Sequence, residues 1–88
     1  MKTANELLDE ILQYVKPSRG CAIVLVEAKN DEPNWIASTG VTDDQALSRY
    51  NTKIIDLRKS HPRVDWSGVK EHEGERRRIA KYYSELGA

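Results

Sequence analysis

Cys21-Ala22-Ile23-Val24-Leu25-Val26 is the longest apolar run in the chain, and what surrounds it decides the fold. Uninterrupted β-branched and aliphatic residues predict a strand covered on both faces. Upstream, Pro17-Ser18-Arg19-Gly20 reads as the turn into that strand. Downstream, Lys29-Asn30-Asp31-Glu32-Pro33 is a polar five-residue connection to a second strand-like segment, Asn34 to Thr39. There Trp35, Ala37 and Thr39 alternate with Ile36 and Ser38, and Gly40 ends the segment. A two-stranded hairpin alone is marginal in water, so the pair needs helices on one face and another edge alongside.

Helices are predicted on either side. Thr3 followed by Glu6 is a capping box, in which each side chain satisfies a backbone N–H at the helix start. Leu7, Leu8, Ile11, Leu12 and Val15 then share one face, and Pro17 stops the helix. After the hairpin, Thr42 and Gln45 repeat the capping pattern, with Asp43 and Asp44 suited to the positive end of the helix dipole. Leu47, Tyr50, Ile54 and Leu57 form that helix's stripe, widened by Ala46; Arg58, Lys59 and His61 complement its far end, and Pro62 closes it. Val64 and Trp66 alternate with Asp65, which admits a short third strand. A last helix is predicted from around Ser67 to Glu71 through about Leu86, with Ile79, Ala80, Tyr83 and Leu86 as its stripe and Gly74 weakening its first turns.

The expected fold is therefore a single α+β domain over residues 1–88, in the order helix, strand, strand, helix, helix, with an antiparallel hairpin packed on the helices. Eighty-eight residues suffice for one domain, and a chain with no Phe, one Met, two Trp and four Tyr fills its core chiefly with Leu, Ile and Val. A strand apolar on both sides leaves so small a protomer short of cover. The expected partner is a second copy, with hairpins paired edge to edge or stacked face to face, and Ile23, Leu25 and Trp35 are the candidate interface residues.

Charge narrows the function classes. Lys plus Arg equals Asp plus Glu at 14 each, so no global field favours nucleic acid or an anionic membrane. Up to Gln45 four basic residues face eight acidic ones, a balance of −4; from Ala46 onward ten face six, a balance of +4. Attraction between the two halves, within one fold or between copies, accounts for that asymmetry. A single cysteine forms no intramolecular disulfide, thiolate zinc site or CxxC redox pair. No basic-then-apolar leader opens the chain, so the expectation is a soluble cytoplasmic protein without a membrane span.

Three groups of residues carry candidate chemistry. Arg76, Arg77 and Arg78, with Lys81 one turn on, would give a helical anion-binding surface for nucleic acid, with an aromatic neighbour to stack on a base. The rival account pairs them with Glu71, Glu73 and Glu75 along a solvated helix, and is favoured because no binding motif accompanies the charge. Arg63, Asp65 and Trp66 lie in a chemically varied loop that could hold a small ligand, although Trp66 also suits a core lid and Asp65 a helix cap. Catalysis is not expected: Cys21 reads as a buried apolar residue rather than a nucleophile for His61 or His72, and no GxSxG, GxGxxG or P-loop occurs. His72 and its glutamates do not converge on one helical face, so neither metal nor cofactor is expected. The leading expectation is a small non-enzymatic interaction or accessory protein that self-associates.

Overall fold

The computed structural model describes residues 1–16 and 21–82. Its elements are α1 (Ala4–Val15), β1 (Cys21–Glu27), β2 (Trp35–Thr39), α2 (Asp44–Ser60) and β3 (Arg77–Tyr82). Among the described residues the fold is α+β, with two helices and a three-stranded antiparallel sheet in the order β2-β1-β3. The apolar run sits in the centre, where its two edges are both taken. β2 and β3 each run antiparallel to β1 and hence parallel to one another, so α2 and the segment after it carry the chain across the sheet.

Local chemistry explains the helices. The Thr3 hydroxyl accepts from the Glu6 N–H at 3.1 Å while the Glu6 carboxylate accepts from the Thr3 N–H at 2.9 Å, so the capping box forms as expected. Those bonds hold the Glu6 carboxyl below its usual range. α1 ends at Lys16, which turns left-handed at φ 50°. α2 is capped one residue later than the pattern suggested: Asp43, not Thr42, accepts from the Ala46 N–H, at 2.8 Å.

The helices share one side of the sheet. Leu7, Leu8, Ile11 and Val15 of α1 join Cys21, Ile23, Leu25 and Trp35 of the sheet and Ala46, Tyr50 and Leu57 of α2 in one buried cluster. Val41, Val64, Trp66 and Val69 complete it from the connections. Burial pushes the Tyr50 phenol above its ordinary value. Between the helices, Glu10 bonds Lys53 and Lys2, each at 2.9 Å, and Lys53 also lies 5.2 Å from the Tyr14 ring centre. The lysines draw the Glu10 carboxyl from 4.5 down to about 2. Arg49 reaches from α2 to the Val15 carbonyl through two nitrogens, at 3.1 and 2.9 Å, and so tethers the end of α1.

Two sequence expectations are corrected. Val64 to Trp66 is not a strand of the sheet: Asp65 makes one isolated parallel bridge to Thr3, and Val64 and Trp66 turn inward. The last helix does not form over the described residues. His72 and Glu75 exchange backbone hydrogen bonds of 2.8 and 3.1 Å around Glu73 and Gly74, whose φ angles of 53° and 79° suit a two-residue hairpin turn. Arg77–Tyr82 then pairs with β1, and the sheet's demand for a second neighbour outweighs the helical tendency of the segment. Tyr83 and Leu86, assigned to that helix's stripe, lie outside the described residues.

Candidate functional site

Among the described residues, the sheet has one covered side and one bare side. Opposed residues in an antiparallel pair share a face, so the register sorts them directly. Trp35, Ala37 and Thr39 of β2 and Ile23 and Leu25 of β1 lie toward the helices. On the other side are Ile36 and Ser38, then Ala22, Val24 and Val26, then Arg77 and Ile79. Val24 and Val26 are half-buried by their neighbours, whereas Ile36 and Ile79 keep 54% and 45% of their surface exposed. That combination makes a small apolar patch rather than a scatter of single residues.

The two edges of the sheet differ in chemistry. At the ends of the β1–β2 ladder, the Ala28 N–H donates to the Asn34 carbonyl and the Gly40 N–H to the Ala22 carbonyl. Even-numbered residues of the pair therefore bond across it, and the backbone groups of Trp35, Ala37 and Thr39 point outward. Across the sheet, the Glu27 N–H donates to the Arg76 carbonyl, so Arg77 and Ile79 turn their backbone groups out along β3. Among the described residues, neither set of outward groups has a hydrogen-bonding partner. β2 reads Trp-Ile-Ala-Ser-Thr, with no charge and no proline; β3 reads Arg-Arg-Ile-Ala-Lys-Tyr.

α2 extends the β2 edge into a wall. Asp44, Ser48, Asn51, Ile55 and Arg58 recur at helical spacing and are all exposed, Ile55 at 58%. The Arg58 guanidinium lies 5.9 Å from the Trp35 ring centre, which places the C-terminal end of this stripe beside the start of β2. Arg49 and Lys53, which reach α1, lie on another side of the helix. The start of β2 is pinned from below. Asn34 is buried; its amide donates to the Val64 carbonyl and accepts from the Val64 N–H, both at 2.9 Å, while its backbone carbonyl receives the Trp66 indole at 3.1 Å. The Trp35 indole donates to the His61 carbonyl at 2.9 Å.

The residues singled out from sequence fall in different places. Ile23, Leu25 and Trp35 are 0% exposed inside the protomer, so these candidate interface residues are core residues and do not face a partner. The arginines are not on a helix. Arg76 pairs with Glu27 at 3.2 Å and donates to the Val69 carbonyl at 3.0 Å, and Arg77 pairs with Glu75. Arg78 is exposed, and Lys81 pairs by backbone register with Ala22. The Arg63, Asp65 and Trp66 loop does not present its three side chains together: Arg63 is exposed and Trp66 is in the core. Asp65 accepts from the Ser67 N–H at 2.9 Å, which holds its carboxyl below the usual range. Lys70, His72, Glu73, Gly74, Glu75 and Arg77 line an open depression of about 620 Å³ around the hairpin turn, with charges of both signs. Among the described residues, no three His, Cys, Asp or Glu side chains are grouped to hold a metal ion, and no helix is long and apolar enough to cross a membrane.

The α2 stripe was not singled out from the sequence. Ser48 and Asn51 are neither apolar nor charged, and Ile55 is a single exposed apolar residue off the buried stripe, so only the position of β2 gives them meaning. Comparisons of the chain with family models, with curated proteins and with solved structures gave no match.

Proposed function

We propose that this protein is a small non-enzymatic interaction or accessory protein that acts in the cytoplasm and associates with a second copy of itself. The observation that carries the reading is the unequal dressing of the sheet: both helices lie on one side, and Ile36, Val24, Val26 and Ile79 form an apolar patch on the other. Such a surface suits contact with another macromolecule. The charged groups near β3 support a solvated surface better than an anion site, because Glu27 and Glu75 already engage Arg76 and Arg77.

Sedimentation equilibrium across a wide range of protein concentration tests this reading. The expected mass approaches twice the 10.0 kDa of the chain at high concentration and falls toward it on dilution. A species of 10.0 kDa at every concentration overturns self-association.

A further inference from the structure

We infer that the second copy docks on the wall formed by β2 and α2, so that two β2 strands pair antiparallel about a two-fold axis near Ala37 and the three-stranded sheets merge into one of six. This rests on the self-association reading and assigns it a place and a geometry.

Three observations select this wall and this occupant. First, the outward backbone groups of Trp35, Ala37 and Thr39 are a template for a further strand, and an antiparallel copy of β2 supplies matching donors and acceptors. With Ala37 opposite Ala37 of the second copy, Trp35 faces Thr39 and Ile36 faces Ser38, so all five residues are paired and no charges meet. Second, the α2 stripe is self-complementary under the same axis. α2 follows β2 and returns along it, so the two helices also run antiparallel. Asp44 of one copy then lies toward Arg58 of the other, with Asn51 at the centre and Ile55 beside it.

Third, the alternatives are unfavourable. Pairing β3 with its own copy around Ile79 sets Arg77 opposite Lys81, a like-charge contact. Pairing β2 with β3 of another copy is head-to-tail and does not close, which would build a filament. Stacking the bare faces uses three short strands, roughly 14 Å by 20 Å from strand spacing and rise. Stacking also brings Arg77 to the rim of each face, where it meets the basic edge of the other copy.

Amide hydrogen exchange and sedimentation, on the wild-type chain and on Ala37→Pro, test the assignment. Proline at 37 removes an outward N–H and leaves the β1–β2 ladder bonds in place. Across the axis it deletes both hydrogen bonds of the central pair, so the dimer dissociation constant should rise about thirtyfold. In the wild-type protein, the Ala37 amide should become protected as concentration rises, while the Ile79 amide stays fast. Should Ala37→Pro fail to fold by circular dichroism, Ile55→Glu tests the same wall from an exposed position and should likewise weaken the dimer by at least about tenfold. A wild-type dimer that keeps a fast Ala37 amide, or that tolerates both variants, overturns this geometry and leaves self-association standing; a wild-type monomer overturns both.

Discussion

The two edges of one small sheet have been treated in opposite ways. β3 places Arg77, Arg78 and Lys81 along its length, and charge on an edge strand discourages further pairing. β2 places no charge on its edge, although it exposes the same kind of unbonded backbone. Among the described residues both edges are outward, so solvent contact alone does not explain the difference. In the proposed assembly, edge chemistry marks where a partner strand is admitted and where it is refused, and the apolar face beside it stays open to a further contact.

The largest effect that would sharpen this contrast lies within β2 itself. Trp35 and Ile36 are adjacent but face opposite ways, at 0% and 54% exposure. Trp35→Ala should lower protomer stability by about 3–5 kcal/mol in urea unfolding, because it empties the core beneath the strand. It also removes the indole bond to His61. Ile36→Ala should stay within about 0.5 kcal/mol. Equal costs would mean that β2 is not anchored as a half-buried edge.

A middle-sized effect concerns assembly alone. Asp44→Arg and Arg58→Asp should each raise the dimer dissociation constant about tenfold in sedimentation experiments, and the double variant should recover much of the loss. Arg78→Asp on β3 should leave that constant unchanged. Loss of association on changing Arg78, with indifference at Asp44 and Arg58, would reverse the roles of the two edges.

The smallest effect is set by pH, away from both edges. The folded state holds the Glu10 carboxyl near 2 rather than 4.5, so its contribution is complete above 4.5 and fades as pH falls from there toward 2. Lys53, raised by the same contact, contributes below its ordinary 10.5 and loses that contribution as pH rises through its higher folded value. The pair is partly exposed, so Glu10→Gln should cost no more than about 1 kcal/mol at neutral pH and little at pH 2. Urea midpoints measured across acid pH check this, with no change in association expected while the protomer stays folded.

Much of the fold was legible because its signals were local. The capping box at Thr3 and Glu6, the alternation from Trp35 to Thr39 and the apolar run from Cys21 all describe short-range requirements. β3 was hidden because Arg76 to Tyr82 has a composition that suits a helix equally well, and only the vacant side of β1 converts it to a strand. The usable clue was Gly74, which marks a turn at positive φ rather than a weak helix start. The interface residues erred for a related reason. A run apolar on both faces does not announce which face the helices take, and they cover Ile23 and Leu25 rather than Val24 and Val26. The α2 stripe was beyond sequence reasoning, since its neutrality matters only beside an unguarded strand.

Isotope-filtered nuclear Overhauser spectroscopy on a mixture of labelled and unlabelled chains tests the unequal edges most directly. Contacts between copies should join Trp35 to Thr39 and Ile36 to Ser38, and Ile79 should show none. Contacts between copies at Ile79, with β2 silent, would contradict the account.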